Sequence, residues 1–443
     1  MSLDHAALFQ ASQKVPSSLP TWLEVDQFVY WKEKNSVVRI LGYIGRIVKI
    51  DNGGDTFSVE SEQLAQLEPS NHTHDLSAIS HLPFRELAQQ YLDELGQVRL
   101  IGGTEPDLRP LPVAMHPSLQ AAFKQVGIEQ FYSHQLQAWA ELEQGHSLAL
   151  VTDTASGKSN CFIPMAFQQA LSSAKTTLLI YPLKALALDQ TEKLVTLNQS
   201  LPETLRLKIA RCTGDVPLAQ RKAYFQGTKC PDVILASPDV LHHLLYRTSS
   251  REFELWREFL KRLQMIVIDE AHSYISSFGI HLANVMRRLR LACDYAGGKE
   301  QIQWVVSTAT LSNPLELASQ FTAQPEEAIA LIEHSGARRH ERTLLSFKPQ
   351  AAPNYLVASL VNRLSHLGLK SLVFVNARQS AKALYSLIHV QTKGLANIDI
   401  FHGSLLAAKR HNLLERFSRG DLRTLISTNC LECGIDLPAI DVV

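Results

Sequence analysis

The octapeptide Thr152-Asp153-Thr154-Ala155-Ser156-Gly157-Lys158-Ser159 lies between two apolar runs, SLALV (147–151) and CFIPMAFQQAL (161–171). A strand, a tight loop ending Gly-Lys-Ser and a helix together cradle phosphate. Backbone N–H groups face the β- and γ-phosphates, Lys158 reaches them with its charge, and the Ser159 hydroxyl ligates Mg2+. The strict pattern has glycine where Thr152 stands, so the octapeptide alone also fits a surface turn before a helix. A second site narrows the choice. In MIVIDEAH, Asp269 and Glu270 end a fully apolar run, with Ala271 and His272 after them. Adjacent carboxylates at the carboxyl end of a buried strand suit two roles, Asp269 as a Mg2+ ligand and Glu270 as the group that polarises an attacking water. Together the two sites predict an ATPase that uses ATP with Mg2+ as cofactor.

Elements that could hold such a site are legible around it. From about residue 118, short apolar runs alternate with longer amphipathic stretches: SLALV, TTLLIY (176–181), LKIAR (207–211), DVILA (232–236), MIVID (265–269) and QIQWVVS (301–307). Buried runs bounded by turns, with helical stretches between, are the pattern of a parallel sheet covered on both faces. Residues 322–352 lose that rhythm and read as a linker. It resumes at SLVFV (371–375), NIDIF (397–401) and TLIS (424–427). Before all this, residues 21–60 mix β-branched and aromatic residues around the turn Asp51-Asn52-Gly53-Gly54, which predicts a small β-barrel or curled sheet. Residues 61–115 look helical, then Pro-rich. The last run, AIDVV (439–443), looks like the start of a buried strand, and the second α/β unit supplies about three strands where five or six are usual. The chain is therefore expected to be a piece of a longer polypeptide.

These motifs resemble superfamily II helicases with a DEAD/DEAH box, from about residue 130 to the end. TASGKS is similar to motif I, with Ala155 where most of the superfamily has glycine. Phe131-Tyr132-Ser133-His134-Gln135 resembles the adenine-reading Q motif, which implies Gln135 as the base contact. YPLKALALDQ (181–190) resembles motif Ia, ASPDVLHH (236–243) motif Ib, Ser307-Thr308-Ala309-Thr310 motif III, LVFVNAR (372–378) motif IV and STNCLECGID (427–436) motif V. The branch most resembled is that of the mitomycin-repair-type helicases related to RecQ, on the TASGKS loop, the Tyr-Ser-His-Gln element, Thr213-Gly214-Asp215, Tyr274, Phe278-Gly279-Ile280-His281 and the helix ANVMRRLR.

The resemblance implies a fold class of α/β with tandem RecA-like parallel-sheet domains. It divides the chain into an N-terminal β-rich accessory region (1–117), a first RecA-like domain (118–321), a linker (322–352) and a truncated second domain (353–443). The function it implies is an ATP-driven DNA helicase or translocase moving 3′ to 5′ in repair or genome defence. Nucleotide contacts would be Gln135, Thr154, Ala155, Ser156, Gly157, Lys158, Ser159, Gly434 and Asp436, with His272, Ser307, Thr308 and Thr310 coupling hydrolysis to movement. Pro182, Lys184, Ser237, Pro238, Arg378, Thr428 and Asn429 would touch nucleic acid. Short hydroxyls, amides and helix starts suit phosphate contacts that carry no base information. The family's motif VI and the branch's cysteine-rich region lie beyond residue 443, so ATP turnover by these residues alone is expected to be low. Two rivals stay open: a DEAD-box-type RNA helicase, against which the DEAH spelling argues, and a nucleotide-gated scaffold, against which the intact Lys158, Asp269 and Glu270 argue.

Composition sets the outer bounds. The 443 residues are 45% hydrophobic and 19% charged, which excludes disordered, collagen-like and disulfide-scaffold classes. No apolar run is long enough to span a membrane. Six scattered cysteines fit a reducing compartment, so a cytoplasmic location is expected, and Cys430 and Cys433 are read as apolar filling rather than metal ligands. Lys and Arg number 43 against 43 Asp and Glu. Residues 1–110 hold 9 basic and 15 acidic groups, net −6, and the rest carries +6. A local groove for a polyanion, single-stranded or tailed duplex DNA, is compatible with that balance, and the acidic first segment suits contact with protein instead.

Overall fold

The computed structural model describes residues 95–443 except 154–155, 227–229, 247–250, 275, 299–300, 310, 351, 392–396, 406, 429–430 and 432–439. It also describes strand residues between 28 and 65, and residues 85, 88, 91 and 94. The chain divides into two compact units, one holding residues 103–340 and the other the described residues before and after.

In the other unit, β1 (Phe28–Trp31), β2 (Ser36–Ile44), β3 (Ile47–Asn52) and β4 (Asp55–Glu60) pair antiparallel in sequence order, and β5 (Leu64–Ala65) adds to β1. Among the described residues these strands line up in the order β4-β3-β2-β1-β5, with β4 and β5 at its two ends. Downstream, β6 (Leu95–Ile101) still belongs to this unit, while β7 (Leu108–Pro110) and β8 (Gln130–Tyr132), an antiparallel pair, lie in unit 103–340.

Seven parallel strands make the core of unit 103–340. They are β9 (Ser147–Val151), β10 (Thr176–Ile180), β11 (Ile209–Cys212), β12 (Val233–Ala236), β13 (Leu263–Ile268), β14 (Gln303–Thr308) and β15 (Ile329–Ile332). Their order is β11-β12-β10-β13-β14-β9-β15. Side chains alternate between faces with period two. Leu148, Leu150, Leu179, Val267 and Val305 pack into one buried cluster, and Ala149, Leu178, Ile180, Ile268 and Val306 into the other. Helices Ser133–Glu143, Ile163–Ser173 and Lys184–Gln199 cover the first face, and Pro238–Tyr246, Arg251–Lys261, Ser276–Ala296 and Pro314–Thr322 the second. With both faces covered, strands must be apolar throughout, which is why they read as continuous runs.

The stretch 322–352, expected as a linker, is instead structured. Ile329–Ile332 is the edge strand beside β9, and β16 (Arg342–Phe347) pairs antiparallel with β6. Both are too short to announce themselves against flanking Pro and charge. Residues 103–117, expected in the accessory region, belong to unit 103–340. Beyond β16, β17 (Ser371–Phe374), β18 (Ile398–Phe401) and β19 (Thr424–Ser427) form a parallel sheet in the order β17-β19-β18. The run ending AIDVV adds a parallel bridge, Val442 to Ser371, on the free side of β17. Among the described residues no helix is long and apolar enough to cross a membrane, and no group of His, Cys, Asp or Glu could hold a metal ion as a cluster.

Candidate active site

In a parallel sheet all strands present their carboxyl ends at one edge. Strands β13, β14 and β9 are neighbours, so the segments that follow them meet there: Asp269-Glu270 after β13, the end of motif III within and after β14, and the phosphate loop after β9. Residues far apart in sequence are thereby brought onto three adjacent strand ends.

Within the loop, the buried Lys158 lies back across its own turn, its Nζ donating to the carbonyls of Thr152 at 3.1 Å and Asp153 at 3.5 Å. The hydroxyls of Thr152 and Ser156 bond at 2.8 Å. Thr152 therefore has a use that a glycine there would lack. Gly157 is in the left-handed region at φ 77°, and a Cβ on it would lie 2.7 Å from Gln135 Nε2. Conformation and space both demand glycine. Gln135 itself is buried: its Nε2 donates to the Gly157 carbonyl at 3.0 Å, and its Oε1 accepts from the Tyr132 N–H at 3.0 Å. Its amide thus tethers the loop from behind, a contact not expected from the sequence. From Lys158 the chain makes a single 3-10 turn, Lys158–Cys161, and the α-helix starts only at Ile163. Gly157 thus leads into a 3-10 turn rather than directly into the α-helix.

The acidic pair is fully inside. Asp269 Oδ1 accepts from the Glu270 N–H at 3.0 Å. Burial and the adjacent Glu270 carboxylate push Asp269 up to about 6, against the pull of the Ser307 hydroxyl and then the Lys158 ammonium. Burial also raises Glu270, again opposed by Lys158. Glu270 has φ 50° and ψ 46°, a conformation that costs a non-glycine residue about 1–3 kcal/mol and clusters at functional sites. Its Oε2 is buried without a hydrogen bond, with His272 Nδ1 3.4 Å away. That same nitrogen lies 3.4 Å from the Thr308 hydroxyl and accepts a long bond, 3.4 Å, from the Ala309 N–H. His272 therefore stands between the acidic box and the end of β14. Ser307 Oγ, also buried, faces the Asp269 carboxylate and eases its ionisation. A lysine turned inward, two buried carboxylates with raised proton affinity and an orphaned oxygen fit a magnesium–triphosphate group, whose charge would satisfy them. Ser159 and Asp269 are hard oxygen donors of the kind Mg2+ takes.

One residue beside this box carried no sequence signal beyond its place before Pro182. The register Ile180 to Ile268 sets Tyr181 next to Asp269, and Tyr181 Oη is buried without a partner. Burial, with Asp269, Asp189, Glu270 and Tyr274 around it, holds its phenol well above the usual tyrosine range.

The expected nucleic-acid residues fall at two places. After β10 and β12, on the same sheet edge, stand Pro182, the exposed Lys184 lying over Gly214, and the buried Ser237, whose Oγ lacks a partner, with Pro238 opening the next helix. In the other unit, Arg378 opens helix Arg378–Gln391 and Thr428 follows β19. Burial, then Arg378, Lys382 and Lys409, lower His402, so the local charge there is positive. Expectations for Thr154, Ala155, Thr310, Asn429, Gly434 and Asp436, and for Cys430 and Cys433, lie outside the described residues.

A family model described as DEAD/DEAH box helicase matches residues 132–318, and one described as helicase conserved C-terminal domain matches 351–443. The chain belongs to the DEAD/DEAH-box helicases. Among curated relatives of this helicase chain, the uncharacterized ATP-dependent helicase YprA of Bacillus subtilis is 30% identical, aligned over 76% of this chain and 45% of YprA. The ATP-dependent helicase hrq1 of Schizosaccharomyces pombe is 27% identical, over 73% and 31%. The crystal structure of the helicase MrfA bound to DNA superposes with TM-score 0.71 at 27% identity, covering 80% of this chain and 47% of MrfA. The chain spans less than half the length of these curated relatives.

Proposed function

We propose that this helicase chain is the ATP-hydrolysing motor part of a DNA helicase or translocase acting in repair or genome defence. The convergence of Lys158, Asp269 and Glu270 on one sheet edge, with His272 between the box and Thr308, carries this reading. Lys158 turns from its own loop carbonyls to the phosphates, alongside Ser156, Gly157 and the neighbouring Thr154 and Ala155. Ser159 and Asp269 hold Mg2+, which supplies positive charge to the phosphate oxygens. Glu270, oriented by its left-handed backbone, takes the proton of the attacking water. Gln135 serves the adenine end, and Gly434 and Asp436 also contact the nucleotide. His272, Ser307, Thr308 and Thr310 pass the state of the box to β14.

Pro182, Lys184, Ser237, Pro238, Arg378, Thr428 and Asn429 grip the backbone of single-stranded or tailed duplex DNA. MrfA has been solved bound to DNA, and bound to DNA and AMPPNP, at 26–27% identity to this chain, which supports DNA as the track and ATP as the fuel. The acidic segment 1–110, net −6, supports a protein-contacting role apart from the DNA. The test is ATP hydrolysis by the protein with DNA or RNA of the same sequence added. Stimulation by DNA that Lys158→Ala abolishes is expected. Stimulation by RNA with none by DNA would overturn the proposal.

A further inference from the structure

The phosphate loop carries one acidic side chain, Asp153, where an anionic triphosphate would have to approach. Asp153 is not alone. Arg339 Nε lies 2.7 Å from its Oδ2. Arg339 comes from the other end of the unit, one residue before the chain leaves it.

The segment carrying that arginine is fastened at several points. Arg339 and Thr104 exchange both backbone bonds, at 2.9 and 3.0 Å. The Gly336 carbonyl accepts from the Asp107 N–H at 2.8 Å, and the Asp107 carbonyl accepts from the Ser133 N–H at 2.9 Å. The Gly336 N–H donates to the buried His134 Nδ1 at 3.1 Å. A Cβ on Gly336 would run into the Ser133 hydroxyl, so the approach of this strap to the Tyr-Ser-His-Gln element requires glycine. Residues 336–339 and 104–107, where the chain leaves and enters the unit, thus form one strap across the Q-motif residues, and its guanidinium ends on the phosphate loop.

We propose that Arg339 is a positioning residue for nucleotide binding: its pairing with Asp153 cancels the negative charge that the loop would otherwise present to the phosphates. This rests on the ATP-site assignment above. Both partners are partly open to water, so the pair contributes little to folding. An unpaired Asp153, however, would repel the phosphates, more for ATP than for ADP, and less as salt screens the charge.

The experiment is titration of the full chain with Mg·ATP and Mg·ADP at several salt concentrations. Arg339→Ala should weaken ATP binding roughly three- to fivefold, the range of a solvent-accessible ion pair. The loss should be smaller for ADP and should shrink with salt. Arg339→Lys should keep most of the affinity, and Asp153→Asn alone should bind as well as wild type. The double variant Arg339→Ala with Asp153→Asn should recover. If the double variant stays as weak as Arg339→Ala, or the loss is equal for ATP and ADP at every salt concentration, Arg339 only holds the strap and the proposal falls. Lys158→Ala is the control. Unchanged ATP binding in that variant would remove the ATP-site assignment itself, and this inference with it.

Discussion

Lys158 and Glu270 sit within one buried charge system yet should fail differently. Removing the Lys158 ammonium takes a charge-assisted bond from the phosphates, worth about 1.5–3 kcal/mol, so ATP affinity should drop about tenfold or more along with turnover. Glu270→Gln keeps the side chain's shape and leaves Asp269 in place, so ATP should stay bound while turnover falls by about 10²–10⁴. Single-turnover hydrolysis alongside equilibrium binding separates the two, and equal loss of ATP binding in both variants would contradict the assigned roles. Asp269 carries a second consequence. Its carboxyl is raised from 3.8 to about 6 in the fold, so the folded state holds its proton more tightly than the unfolded chain does. Stability from that proton is present below about pH 4 and is lost as pH rises through 6. With nucleotide and Mg2+ absent, Asp269→Asn should match wild type at pH 4 and be more stable above pH 7, by on the order of 3 kcal/mol. Melting curves across that range check the sign: a variant less stable at pH 7.5 would show that Asp269 is held by interactions stronger than its burial cost.

At the scale of elements, the loop after β9 depends on the helix start behind it. Gln135 and Gly157 meet because Ser133–Glu143 packs against the loop, and because glycine leaves room for the amide. Gly157→Ala would impose both a left-handed alanine, about 1 kcal/mol or more, and a collision at Gln135 Nε2. It should lower nucleotide affinity more than it lowers the melting temperature, because the strained atoms belong to the loop rather than to the buried clusters. Gln135→Ala in the same chain would remove the collision but not the backbone strain, and would also remove the adenine contact, so the affinity of Gly157→Ala should stay low. Full restoration would mean that the close approach, not the left-handed conformation, is the whole reason for glycine.

At the scale of the molecule, a motor must step over any sequence, so its grip should fall on the DNA backbone. Affinity for single strands of equal length and mixed sequence should vary little and decline with salt at a slope of about −0.7 per phosphate neutralised. Arg378→Ala, at the cationic helix start beside Lys382 and Lys409, should weaken all sequences alike and flatten the slope by roughly one phosphate's worth. Titrations of several oligonucleotides over a salt series measure both. An unchanged slope would show that Arg378 touches no phosphate.

The local chemistry was legible because it is local. Gly157, Lys158 and Ser159 lie within one loop, Asp269 and Glu270 are consecutive, and buried parallel strands must read as apolar runs whatever lies beside them. The family was legible for the same reason, as short motifs in a fixed order. What neighbours what was not. Strand order is written nowhere in β9, β13 or β14 singly, yet that order alone brings Lys158, His272 and Ser307 to one edge. The strand Ile329–Ile332 and the pair of β6 with β16 were hidden because four to seven residues flanked by Pro and charge give too weak a period, and long-range pairing supplies the rest. Gln135 on the Gly157 carbonyl, Tyr181 beside Asp269 and Arg339 on Asp153 join positions up to nearly two hundred residues apart. Such contacts depend on where packing sets whole elements, and only the tertiary structure decides that.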